Sequence, residues 1–201
     1  MMTMTAKNDN TSLLKLRELT GAGMVDCKNA LVEAKGDLKT AQEIIRRKGL
    51  DIAKKKSTRE AKEGSIFSYI HGNGKLGVMV EINCESDFVA RNEQFQSFAK
   101  DVAMQIAASF PFYVSPDDIP AADLEREKTN FQAEIKGKPP EVAEKILQGK
   151  LAKRYEDICL LSQKFIKDDS KTIRDYLTEV IARIGENIVL RRVVRFELGG
   201  S

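Results

Sequence analysis

The chain has 201 residues, of which 42% are hydrophobic, 31% charged and 6% aromatic, with no Trp, one His and a formal net charge of +3. This composition supports a folded core rather than wholesale disorder, and the length suits one moderate domain or a small domain joined to a larger one. A single His excludes multi-His metal sites within one chain, and any Ser-His-Asp or Cys-His arrangement would have to use His71. Cys27, Cys84 and Cys159 share no close spacing, so neither a zinc knuckle nor a disulfide framework is readable. The apolar runs fall short of the ~18 residues a membrane span needs, and the start MMTMTAKNDN lacks a signal-like apolar stretch. The expected setting is a reducing cytoplasm, with no membrane partner.

Residues 1–10 are expected to be disordered. Residues 11–50 are predicted as a compact unit of three helices. Their apolar faces are Leu13, Leu14, Leu16 and Leu19; then Met24, Cys27, Ala30, Leu31 and Ala34; then Leu38, Ala41, Ile44 and Ile45. Thr20-Gly21-Ala22-Gly23 and Lys35-Gly36-Asp37 break the pattern twice, and Gly49 after Arg46-Arg47-Lys48 suits a helix end. Residues 51–63 read as a basic linker that can be partly helical. From Arg46 to Lys62, eight basic side chains stand against two acidic ones, so the rest of the chain is net negative. A globally basic nucleic-acid binder is not indicated. The basic stretch reads either as a solvated tether or as a surface for an acidic partner or RNA.

Residues 64–201 change character. Ser65–Ile70 and Leu76–Cys84 are β-prone, and the glycines of His71-Gly72-Asn73-Gly74-Lys75 between them suit a hairpin. Glu93–Ser109 carries Phe95, Phe98, Ala99, Val102, Ala103, Ile106 and Ala107 on one helical stripe, with Asn92 as its cap. Further helices are predicted over 121–135, over 139–156 behind Pro139-Pro140, and over 171–184 behind Asp169-Ser170, closed by Gly185. Ile188–Leu198 alternates and reads as a last strand. The fold class is α+β: an N-terminal three-helix domain, then a core with a small, mainly antiparallel sheet of about three strands and several helices.

Little of this looks enzymatic. The phosphate-binding loops GxxxxGK[ST] and, after a strand, GxGxxG are both missing, and no small-molecule substrate or cofactor is expected. His71 sits at a hairpin tip, where a surface contact is the simpler reading than a general base. The informative segment is Glu85-Ser86-Asp87-Phe88-Val89-Ala90-Arg91-Asn92, between a predicted strand and a predicted helix. Phe88 on that turn reads either as a lid on the core or as an exposed anchor. Asp87 could satisfy backbone N–H groups of the turn.

LRELTGAGMVDCKNAL, AKKKSTREAKEG, GVMVEINCESDFVARN, KPPEVAEKILQGKL and IGENIVLRRVVRFE follow one another in this order along residues 10–199. Together they resemble the bacterial elongation factor Ts family, most specifically in TGAGM and SDFVA. The resemblance implies a ubiquitin-associated-like N-terminal domain that docks on the GTPase domain of elongation factor Tu. It also implies a guanine-nucleotide exchange factor that is not an enzyme. Such a factor binds the GDP complex, loosens the Mg²⁺ and phosphate site, and remains until GTP binds. The family's Thr-Asp-Phe-Val element maps onto Ser86, Asp87, Phe88 and Val89, with Ser for the usual Thr. Docking maps onto Met24, Val25 and Lys28, where Val25 stands in place of a Met.

Longer members of that family carry two related α+β subdomains. This chain has one copy with both kinds of marker: SDFV, and Ser68-Tyr69-Ile70-His71-Gly72 with its hairpin His as a partner contact. The family's short form is similar and acts as a homodimer. The resemblance therefore implies a symmetric dimer, and its contact is expected to be a face of the sheet that includes Ile188–Leu198, because a three-stranded sheet has apolar surface to cover. No Cys lies beyond Cys159 to bridge that strand. The alternatives are an RNA- or ribosome-binding module built on Arg46–Lys62, and a hydrolase or transferase.

Overall fold

The computed structural model describes residues 5–200. The expected disorder over residues 1–10 falls in part on residues 1–4, outside the described residues; helix α1 begins at Thr5. The chain divides into two compact units that are not consecutive in sequence. One comprises the chain through residue 64 together with 83–98 and 175–189; the other comprises 65–82, 99–174 and the chain from 190 onward.

In the first unit α1 (Thr5–Thr20), α2 (Met24–Glu33) and α3 (Leu38–Lys56) enclose a small core. Leu16, Cys27, Ala30, Ala34, Ala41 and Ile44 are buried there, with Leu13, Leu31, Leu38 and Ile45 packed around them. These are among the positions the helical spacing picks out; Leu14, Leu19 and Met24, expected on the same faces, are exposed instead. At the first break Gly21 takes φ +62°, and the Thr20 hydroxyl donates to the Leu16 carbonyl (2.7 Å) while accepting the Ala22 N–H (3.3 Å). At the second break the Asp37 side chain accepts the Thr40 N–H at 2.8 Å, which caps α3, and the Thr40 hydroxyl first, then that N–H, hold the Asp37 carboxyl below its ordinary value.

Helix α3 does not stop at Gly49. It runs on to Lys56, so much of the expected linker is helical. Gly49 is buried inside it, and a Cβ there would lie 3.6 Å from the Ala182 Cβ. The glycine thus marks close approach of another helix, α9 (Ile173–Ile184), rather than a helix end. Arg183 of α9 donates to the Thr20 carbonyl (3.1 Å), and the rings of Phe98 and Tyr176 meet edge to face at 5.1 Å.

The second unit carries a three-stranded sheet of order β1-β2-β5, formed by β1 (Glu63–His71), β2 (Leu76–Cys84) and β5 (Val189–Glu197). The Leu198 N–H bonds to the Lys75 carbonyl at 2.8 Å, joining the end of β5 to the start of β2, as an antiparallel pair requires. Val78, Val80 and Ile82 of β2 are buried on one face. On the other face the Arg192–Glu81 ion pair puts Val194 and Phe196 on the side of Met79, and Ile70 leans over Gly77 from β1. Ile66, Ile70, Met79, Val194 and Phe196 are all exposed there, Phe196 to 68%.

Helix α5 (Glu93–Ser109) follows the predicted stripe, with Phe95, Phe98, Ala99, Val102, Ala103 and Ile106 buried, and the Asn92 carboxamide accepts the Gln94 N–H at 2.8 Å. The helix expected over 121–135 is two: α6 (Ala121–Asn130) and α7 (Gln132–Ile135). The Thr129 hydroxyl bonds back to the Glu125 carbonyl (2.8 Å), Asn130 is a poor helix former, and the chain turns at Phe131. Helix α8 (Pro140–Ile158) runs alongside, with Arg154–Glu127 (2.9 Å) and Lys150–Glu134 (2.7 Å) across the pair.

One element went unread in the sequence: a two-stranded antiparallel hairpin of β3 (Lys164–Phe165) and β4 (Asp168–Thr172). Asp169-Ser170 therefore lies in a strand and caps nothing. Asp168 instead accepts the Ser170 N–H (3.2 Å), and α9 starts at Ile173. Gln105 of α5, only 1% exposed, holds the hairpin: its amide nitrogen donates to the Lys164 carbonyl (3.1 Å) and its oxygen accepts the Ile166 N–H (2.9 Å). Gln105→Ala should lower unfolding stability by about 1–3 kcal/mol, read as a lower urea midpoint at unchanged slope, because it strands both hairpin groups.

Candidate partner interface

Strand β2 ends at Cys84, whose buried thiol donates to the Ser86 carbonyl (3.1 Å) and is pushed up in pKa by that burial. The chain then turns into a single helical turn, α4 (Asp87–Ala90). Ser86 is its N-cap, with extended φ −133° and ψ 154° and a hydroxyl that accepts the Val89 N–H at 3.4 Å. Capping is thus the work of Ser86, not of Asp87. The Asp87 carboxylate pairs with Arg91 at 3.0 Å, four residues on.

Of the two readings of Phe88, the lid on the core is excluded: the residue is 80% exposed, while Ala90 is the buried residue of α4. Val89 is half-buried beside it. A large aromatic in water at the head of a short helix does nothing for its own core, which makes it a candidate for burial elsewhere.

The turn is held from behind by residues the sequence reading missed. Glu186 follows α9. One of its carboxylate oxygens accepts the Glu85 N–H (3.1 Å) and the Ser86 N–H (3.0 Å), and the other accepts the Ser86 hydroxyl (2.7 Å). In return the Glu85 carboxylate accepts the Asn187 N–H at 2.7 Å and meets the Arg59 guanidinium at 3.3 Å. The Asn187 N–H first, then Arg59, hold the Glu85 carboxyl below its ordinary value. The Asn187 amide nitrogen donates to the Arg59 carbonyl at 2.7 Å. A weak signal was available: Gly185-Glu186-Asn187 sets two polar residues between a helix and a strand.

Met24, Val25 and Lys28 are exposed at the start of α2, whereas Cys27 and Ala30 point into the small core. Met24 and Lys28 stand four residues apart on one helix face. These residues and Ser86–Val89 all belong to the first unit; His71 belongs to the second. His71 ends β1 at the exposed hairpin tip, with Gly72, Asn73 and Gly74 all at positive φ behind it. Its Nδ1 lies 2.9 Å from the Tyr69 hydroxyl and the two rings stack at 5.9 Å.

Several cations of the basic stretch face acids of the chain itself. Arg46 pairs with Asp175 (3.6 Å), Arg47 and Lys48 with Glu33 (3.6 and 4.0 Å), and Lys62 with Glu60 (2.8 Å). Among the described residues no cluster of His, Cys, Asp and Glu could hold a metal ion. No helix there is long and apolar enough to cross a membrane.

A family model described as Elongation factor TS matches residues 28–180. A protein named Elongation factor Ts from Thermodesulfovibrio yellowstonii is 57% identical over 186 residues, covering 92% of this chain and 93% of that protein. Proteins of the same name from Caldanaerobacter subterraneus (53% identical, 92% of this chain, 94% of that one) and Geobacter sulfurreducens (52%, 92% and 87%) are similar along the same length.

Proposed function

As this chain belongs to the elongation factor Ts family, and so to the translation elongation factors of protein biosynthesis, we propose that it is the guanine-nucleotide exchange factor for elongation factor Tu. It binds the GDP complex, perturbs the Mg²⁺ and phosphate site of that GTPase, lets GDP go, and leaves when GTP binds. No covalent bond is made or broken, and no small-molecule substrate, nucleic acid or membrane takes part. The setting is the cytoplasm.

The observation that carries this reading is Phe88, 80% exposed beside Asp87 on a turn held from behind. Exchange is a negative coupling between nucleotide and factor on one GTPase, and at equilibrium each weakens the other by the same factor. Speeding release ~10⁴-fold takes about 5.5 kcal/mol off the barrier. Burying one Phe supplies roughly 1.5–3 kcal/mol, so Phe88 needs help. Met24, Val25 and Lys28, exposed on the same unit, form the grip that supplies it. Asp87 brings negative charge toward the groups that organise the partner's metal site.

The active form is a homodimer through the exposed sheet face of Ile66, Ile70, Met79, Val194 and Phe196, five large apolar side chains exposed on one face. Within it one subunit offers Asp87 and Phe88 to the GTPase domain, while the other offers His71 to a different part of the same partner. The test is release of a fluorescent GDP from elongation factor Tu. Saturable acceleration on adding this protein is the expected result. Salt-sensitive RNA affinity with no change in release would instead favour a module using Arg46–Lys62, a reading the ion pairs of that stretch weaken.

A further inference from the structure

We infer that Glu186 is a positioning residue for the Asp87–Phe88 element, acting with Glu85 as a two-way clasp; the inference rests on the exchange reading above. Helix α4 has four residues, too few to be stable alone, because a first helical turn fixes several dihedrals for one hydrogen bond. Phe88 is 80% exposed and cannot hold itself by packing. Its direction is therefore set by the backbone of Glu85, Ser86 and Asp87.

That backbone is fixed from a segment about 100 residues away. The Glu186 carboxylate accepts three donors: the Glu85 N–H (3.1 Å), the Ser86 N–H (3.0 Å) and the Ser86 hydroxyl (2.7 Å). The opposite arm returns the favour, with the Glu85 carboxylate accepting the Asn187 N–H at 2.7 Å. Each glutamate accepts a backbone N–H from the other's segment, so neither strand of the clasp can turn without breaking charge-assisted bonds. Ser86 joins clasp to helix. Its hydroxyl hydrogen goes to Glu186, which leaves its lone pairs aimed at the Val89 N–H, 3.4 Å away. Arg59 adds a third strand, its guanidinium on Glu85 (3.3 Å) and its carbonyl on the Asn187 amide (2.7 Å). A wedge already ordered loses less freedom when it enters a partner.

The test uses the full-length protein and two readouts. In the free protein, amide hydrogen exchange at Glu85 and Ser86 should speed up at least about tenfold in Glu186→Ala, and less in Glu186→Gln, whose amide oxygen still accepts. With elongation factor Tu·GDP, Glu186→Ala should lower the GDP-release rate at saturating factor about tenfold. Glu186→Gln should recover part of that loss, and half-saturation should move less than threefold. Adding Glu186→Ala to the combined Asp87→Ala and Phe88→Ala variant should give no further loss, because the clasp acts through those two side chains. Unchanged amide exchange, a wild-type release rate in Glu186→Ala, or a further multiplying loss in that combination would each overturn the inference. If the wild-type protein does not accelerate GDP release, the exchange reading fails instead, and if Phe88→Ala releases GDP like wild type the wedge fails; in either case the amide measurement decides the clasp by itself. Should Glu186→Ala not fold, Glu186→Gln carries the same comparisons.

Discussion

Phe88→Ala should cut the acceleration of GDP release from elongation factor Tu by roughly 10- to 100-fold at saturating factor, and leave the factor's own melting temperature within about 2 °C. The first number follows from burial of a Phe side chain, worth roughly 1.5–3 kcal/mol in the proposed complex, at about 1.4 kcal/mol per tenfold in rate. The second follows from its 80% exposure in the free protein, where a surface change away from caps and cores moves stability by only about 0.5 kcal/mol. Few substitutions separate function from stability so cleanly. Asp87→Ala should also slow release while costing little stability, since its pair with Arg91 is an exposed one at a helix surface. Stopped-flow release of a fluorescent GDP and a thermal melt of each variant suffice. If both variants released GDP within twofold of wild type, the wedge reading would fail.

Phe196→Asp should convert the proposed dimer to a monomer at micromolar concentration. Phe196 is 68% exposed on the outer face of the sheet, among Ile70, Met79 and Val194. In a two-fold interface one substitution is felt twice. Two Phe burials are worth roughly 3–6 kcal/mol, and two unpaired carboxylates in the interface add to the cost, so the dissociation constant should rise at least ~100-fold. The subunit should still fold, because the buried side of β2, Val78, Val80 and Ile82, is untouched. Sedimentation velocity of wild type and variant gives the answer. A wild-type protein that is monomeric and fully active would sink the dimer.

Much of the fold was legible because it is written in local periods. The faces of α1–α3 apart from Leu14, Leu19 and Met24, which are exposed, the buried stripe of α5, the β1–β2 hairpin with its glycines and the strand β5 all lie where spacing puts them. The misreadings share one cause. Gly49 looks like a helix end from its neighbours, yet it is a contact point for Ala182, far along the chain. Asp169-Ser170 looks like a cap, yet the Gln105 side chain reaches the backbone of the hairpin next to it and helps make that segment a strand pair. Neither partner is within a helical turn of the residue it redefines.

The candidate site divides the same way. Ser86–Val89, Met24, Val25, Lys28 and His71 could be named from motif order. Glu186, Asn187 and Arg59 could not, because an acceptor arriving from 100 residues away leaves no periodic trace. Local pattern by itself determined the element types, the turn chemistry and the family markers, since these depend on neighbours within a few residues. Tertiary structure alone decided that Phe88 faces water rather than the core, and which carboxylate supplies the acceptor for the backbone behind it. Every N–H of an isolated turn needs a partner, and only the folded chain determines which group that is.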